Sequence, residues 1–207
     1  VASEEKWKRA SSAIGTALEA AYDAATDYAT CVEPYCGKAQ ENGDFLEVHK
    51  DALGKDVNLE KYAHAITDYR AQAADFATIP RSADVGILRV DSLALKRLLV
   101  PSPTRCLDAL QAYLPELMDI GFKQLLDQLG SILPVVTGAP ANVAVFVTKK
   151  RVVKEAQENY EGYKEAQQKL IAMAELMESE DWPVPEDQKA HLVMADENMT
   201  TLDTGVQ

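Results

Sequence analysis

The chain has 207 residues, 47% of them hydrophobic and 26% charged, with a formal net charge of −12 at pH 7. That length can bury a core in one or two domains, whereas the acidity argues against DNA or RNA, whose phosphates demand clustered Lys and Arg. No apolar run approaches the roughly 20 residues that a membrane span needs, and no signal peptide is visible.

Taken in order, the first predicted element is a long helix from about Ser3 to Val32. Trp7, Ser11, Ile14, Leu18, Ala21, Ala25, Tyr28 and Val32 step by 4 and 3, the seam of an amphipathic helix. Pro34 is expected to end it. From Cys36 to Val57 the glycines Gly37, Gly43 and Gly54 suggest a loop or short irregular helices, pinned by Phe45, Leu46 and Val48. Asn58 caps a second helix that ends near Thr78 and carries Leu59, Tyr62, Ile66, Tyr69, Ala73 and Phe76. A short β-type run follows, Val85, Ile87, Leu88 and Val90, interrupted by Gly86.

Asp91 and Ser92 offer caps to a short helix with Leu93, Leu95, Leu98 and Leu99, which Pro101 and Pro103 are expected to stop. Ser102 and Thr104 can cap the next helix, which carries Leu107, Leu110, Leu114 and Leu117 and runs beyond Leu133, with bends or breaks at Pro115, Gly121 and Gly130. Pro134 to Ala141 reads as a turn, and Asn142 to about Glu178 as a helix with Phe146, Val153, Ala156, Tyr160, Tyr163, Leu170, Ala174 and Met177 on one face. Trp182-Pro183-Val184-Pro185 breaks it. Glu186 and Asp187 then open a last helix with negative charge at its positive end. The fold class is all-α: elongated bundles of about five or six long amphipathic helices, with one short β-type segment near 85–90. The expected division is a helical pair over 1–80, a joint over 81–103 and a helical bundle over 104–207.

Chemistry is sparse. The chain has no G-x-x-x-x-G-K-[ST], G-x-G-x-x-G or G-x-S-x-G, so neither nucleotide binding nor a hydrolase elbow is expected, and no catalytic residue is assigned. Three residues before His49, His64 and His191 stand Leu46, Lys61 and Gln188, so no Glu-x-x-His metal motif forms, and Glu60 with His64 reads as a surface pair. No metal or cofactor is expected. Cys31, Cys36 and Cys106 are too few for a disulfide framework or a zinc site, and suit a reducing, intracellular compartment. Tyr22, Tyr28, Tyr62, Tyr69, Tyr160 and Tyr163 sit on the seams, as core residues whose hydroxyls reach the surface. Lys149, Lys150, Arg151 and Lys154 form either a docking patch for an acidic partner or simply a solvated helix face. Trp182 is either a partner hot spot or the plug of a bundle end.

The turns carry a resemblance. Pro80, Ser82, Val85, Gly86, Leu88, Val90 and Asp91, then Pro101, Pro103, Arg105 and Leu107, resemble the tail (stem) region of axonemal dynein heavy chains. Three further segments agree in order: Val32-Glu33-Pro34-Tyr35, the connector with an aromatic anchor, and Trp182-Pro183-Val184-Pro185 before the acidic pair. Pro140 with Phe146-Val147 agrees only in part. The chain begins at Val1 rather than Met, and is expected to be a piece of a longer one. The resemblance implies a non-catalytic tail segment linking an ATP-driven microtubule motor to the axonemal doublet of cilia and flagella. Implied partners are heavy, intermediate or light chains or docking proteins, with no nucleic acid and no membrane, and with the piece itself monomeric. Its implied setting is the cytoplasm, the cytoskeleton and the axoneme. Its structural joints are Val85, Gly86, Asp91, Pro101, Pro103, Trp182, Pro183 and Pro185. The rival reading is a free-standing cytosolic helical adaptor that binds another protein.

Overall fold

Caps and proline positions account for most element boundaries in the computed structural model, which describes residues 2–52 and 58–206. Among these, six helices and one hairpin follow in the order α1 (Ala2–Ala52), α2 (Leu59–Thr78), β1 (Ser82–Val85), β2 (Leu88–Asp91), α3 (Leu93–Leu99), α4 (Pro101–Thr137), α5 (Val143–Ser179) and α6 (Glu186–Val206). The chain is all-α apart from the two short strands. Gly54 to Val57 and the side chains of Val48 and Val206, which the sequence placed in a loop and on apolar faces, lie outside the described residues.

The expected stop at Pro34 is overturned, because α1 runs through it to Ala52. An internal proline forfeits one backbone hydrogen bond and crowds the preceding turn, at a cost of about 3 kcal/mol. Packing downstream offsets this. Tyr35 meets Phe76 edge-on at 5.5 Å between ring centroids, and Phe45 lies 5.6 Å from Tyr69. These pairs make α1 and α2 antiparallel. Of the region read as a loop or short irregular helices, Cys36 to Ala52 is therefore the last part of one long helix.

The short helix α3 ends at Leu99, before Pro101 as expected, but the next helix starts earlier than expected: α4 begins at Pro101 rather than after Thr104. The first four N–H groups of a helix lack intrahelical acceptors, so proline costs little there and its fixed φ suits the first turn. Pro115, Gly121 and Gly130 leave α4 unbroken, and it continues past Pro134 to Thr137, so the turn shrinks to residues 138–142.

Several boundaries match. Asn58 Oδ1 accepts from Lys61 N at 3.1 Å, and Asn142 Oδ1 from Val145 N at 2.9 Å. Asp91 Oδ1 accepts from Leu93 N at 2.9 Å, whereas Ser92 makes no cap bond.

The β-type run is a two-stranded antiparallel hairpin pairing Ser82 with Asp91, Ala83 with Val90, Asp84 with Arg89 and Val85 with Leu88. Gly86 has φ +62° and heads the two-residue turn, the type II′ arrangement that matches strand twist. An added Cβ there would lie 3.3 Å from Cα and Cβ of Ala21. Glycine is needed at this position for backbone angle and for close approach to α1 alike.

The chain forms two compact units. One contains α1, α2 from His64, the hairpin, α3 and α4 to Ala109; its core includes Ala21, Ile66, Phe76, Ile79, Leu99 and Cys106. The other contains the start of α2 to Ala63, α4 from Leu110, α5 and α6. Here Gln188 bonds Asp119, the His191 ring packs at a tilt against Phe122, and Gly205 abuts Val136, always at an offset of 69 residues. α4 and α6 are therefore parallel and in register, with α5 returning antiparallel between them in sequence. Leu110, Leu114, Phe122, Leu125, Leu129, Met177 and Leu202 are at most 1% exposed in this core.

Leu114→Asp is expected to unfold the second unit, since losing the leucine costs roughly 2–5 kcal/mol and the stranded carboxylate adds to it. A cooperative helical melt at the wild-type temperature would contradict the assigned core. Gly86→Ala is expected to lower stability by about 1–2 kcal/mol through left-handed strain alone. Gly162→Ala, in open space within α5, should raise it by about 1 kcal/mol. Chemical denaturation followed by circular dichroism measures both.

Candidate functional site

Among the described residues no group of three or more His, Cys, Asp and Glu side chains is placed to hold a metal ion. His64 Nδ1 lies 2.8 Å from Asp68 on an exposed surface, rather than pairing with Glu60, and the His191 ring packs at a tilt against Phe122, 5.5 Å between centroids. No described helix is long and apolar enough to cross a membrane. Three surfaces stand out.

The first surface is the joint. Residues on the apolar hairpin face, Ala83, Val85, Leu88 and Val90, are half-buried, and the other face carries Asp84 and Arg89, 3.8 Å apart and exposed. Tyr28 Oη bonds Ser92 Oγ at 2.8 Å, which ties α1 to the start of α3. Lys96 Nζ donates to the carbonyls of Ala77 and Ile79 at 2.6 and 2.9 Å, placing a cation at the negative end of α2. Between α1 and the hairpin–α3 corner lies an open groove of about 510 Å³, lined by Tyr28, Ala29, Val32, Cys36, Val90 and Leu95 among others.

Val85, Gly86, Asp91, Pro101 and Pro103 all belong to this first unit, with Pro103 buried and Pro101 exposed. Trp182, Pro183 and Pro185 belong to the other, in the α5–α6 turn. There Asp181 takes φ 58°, Trp182 N donates to Met177 O at 2.8 Å, and the half-buried indole sits beside buried Val184.

Sequence reasoning missed the polar centre of the first unit. Asn42 Nδ2 donates to Gln72 Oε1 and Ser102 Oγ, each at 3.1 Å, and the Cys106 thiol donates to Asn42 O at 3.5 Å. Three helices meet on one buried amide. The signal was present: Val32, Tyr35, Ala39, Asn42 and Leu46 continue the 4–3 stepping straight through Pro34. Burial pushes the Cys106 thiol above its ordinary 9.0, against a smaller downward pull from Tyr69 and Arg105. Burial likewise raises the Tyr69 hydroxyl, with Cys106 adding to the shift, and raises the hydroxyl of Tyr62 in the second unit. The Tyr62 hydroxyl does not reach the surface as expected; it is enclosed with no protein partner. Tyr22, in contrast, is largely exposed.

The second surface is the start of α5. Val143, Val145, Phe146 and Val147 are exposed, Val143 by 78%, so Phe146 does not join the buried face. The four cations that follow are partly engaged. Lys149 Nζ bonds Gly138 O at 2.9 Å at the end of α4, while Arg151 lies 3.8 Å from Glu155 and Lys154 3.7 Å from Glu158. A third surface is the N-terminal part of α1, where Trp7 and Ile14 stand in solvent instead of on a covered seam.

No family model matches the chain. It is similar to human dynein axonemal heavy chain 6, with 25% identity over 175 residues, which is 84% of this chain and 4% of that protein. The chain is dynein-like. It spans a small fraction of the relative's length, and the similarity covers most of the described helices and turns.

Cys31 and Cys36 are exposed and Cys106 is buried. A thiol reagent at neutral pH is therefore expected to label two cysteines promptly and the third only on denaturation. The raised Cys106 and tyrosine values give alkaline sensitivity. The unfolded chain sheds these protons first, so stability present below pH 9 falls as pH rises beyond it. Denaturation midpoints across pH 7 to 11 would show no such fall if these groups were open to water.

Proposed function

We propose that this chain is a non-catalytic structural segment of a dynein heavy-chain tail. In that role it links an ATP-driven microtubule motor to the axonemal doublet and scaffolds associated chains. The observation that carries the reading is the similarity to an axonemal heavy chain along 84% of this chain. The physical chemistry agrees with it. Close-packed interiors resist deformation, so helices locked in register pass force along their axes. In the second unit, α4 and α6 are held in register at Gln188–Asp119, His191–Phe122 and Gly205–Val136. The sequence carries no G-x-x-x-x-G-K-[ST], so in this reading ATP turnover belongs to another part of the dynein. Its partners in this reading are other dynein subunits or docking proteins, in the axoneme of a cilium or flagellum.

Sequencing the transcript that encodes the chain tests this. The reading frame is expected to run on into several G-x-x-x-x-G-K-[ST] modules. A frame that closes a short distance either side overturns the tail reading and leaves a free-standing adaptor in its place.

A further inference from the structure

Two serines in the chain stand three residues after an arginine, Ser12 after Arg9 and Ser92 after Arg89. The fold treats them oppositely. Ser92 is 3% exposed, its Oγ bonds Tyr28 Oη at 2.8 Å, and Arg89 is engaged with Ser82 at 3.1 Å and Asp84 at 3.8 Å. Ser12 lies within Ser3 to Ala20, a stretch of α1 that holds no buried residue. A short helical segment without buried contacts is marginal in water, so this end of α1 opens at low cost.

We propose that Ser12 is a phosphorylation site for a serine/threonine kinase that reads basic residues. Such a kinase holds its substrate extended and pairs carboxylates of its cleft with cations ahead of the acceptor hydroxyl. Lys6, Lys8 and Arg9 precede Ser12, and no acidic residue occurs from Lys6 to Leu18. Glu4 and Glu5 stand further off, before this run. Lys8 lies 3.2 Å from Glu4, but both side chains are exposed, and a surface pair one turn apart is weak and is released when the first turns open. In an extended chain alternate side chains share a face. Trp7, 70% exposed on the helix, then projects beside Arg9, an apolar determinant next to a cationic one.

In the transfer Ser12 Oγ attacks the γ-phosphorus of the kinase's Mg-ATP. The bond from that phosphorus to the departing ADP oxygen breaks, and the hydroxyl proton passes to the kinase's aspartate. When the helix reforms, Arg9 and Lys8 lie three and four residues before the phosphoserine, on the neighbouring turn. The phosphate brings about −1.5 to −2 of charge against them, so it competes with Glu4 for Lys8 and turns the start of α1 from cationic to anionic. The inference rests on this segment and not on the dynein reading.

Treating the whole chain with Mg-ATP and the activated catalytic domain of a calcium- and calmodulin-dependent kinase tests it. Tandem mass spectrometry is expected to find one phosphoryl group, on Ser12, with Ser92 unmodified. Ser12→Ala should abolish incorporation, and Ser11→Ala should leave it unchanged. Arg9→Ala should slow it at least about tenfold, the worth of one charge-assisted hydrogen bond. All three positions are exposed, so circular dichroism should show unchanged helicity. No incorporation, a phosphate on Ser11 or Ser92 instead, or a rate that Arg9→Ala leaves unchanged overturns the proposal.

Discussion

The buried amide of Asn42 is the constraint on which the first unit depends. It lies on α1 where α2 and α4 converge, and its side-chain amide and backbone carbonyl bond residues of both. An apolar seam lets helices slide by a turn at modest cost. A buried amide does not, because a shifted register strands donors and acceptors whose desolvation costs about 1–3 kcal/mol. The network thus specifies which turn of α1 faces which turn of α4. It also explains why α1 persists beyond Pro34: the residues that meet Phe76, Gln72 and Ser102 all lie after the proline.

The second unit solves the same problem with a single buried polar side chain among its described residues, Gln188, in a larger apolar core. Gln188 Nε2 donates to Pro115 O and Asp119 Oδ1, each at 2.8 Å. Pro115 donates no N–H and its carbonyl is served from another helix, so a residue that reads as a helix breaker becomes an anchor point for α6. Around it Leu114, Met118, Phe122 and Leu125 supply the apolar burial. Polar specificity and apolar burial are separate here.

Helix identity and most caps were legible from sequence because they depend on local chemistry. Asn58, Asp91 and Asn142 bond their own helix starts whatever surrounds them. Proline was the residue misread, since its effect turns on position. Pro101 and Pro103 open a helix, Pro34 is carried by tertiary contacts, and Pro80, Pro140, Pro183 and Pro185 lie outside the helices. Exposure was the second blind spot. Periodicity marks Trp7, Ile14 and Phe146 as apolar-face residues, but nothing local says whether that face is covered, and in this chain it is not. The Asn42 network was missed for a related reason: glycines at 37 and 43 drew the eye away from a seam that continued beneath them.

The constant offset of 69 residues between α4 and α6 bears on how chain length can vary. Removing one residue inside either helix would rotate everything beyond it by about 100° and shift it by about 1.5 Å. The contacts beyond that point, among Gln188 with Asp119, His191 with Phe122, and Gly205 with Val136, would come out of step together. Added or lost residues are harmless only where no register is kept, at 138–142 and 180–185. Relatives that keep this bundle should therefore differ in length at those two turns and hold α4, α5 and α6 free of insertions and deletions.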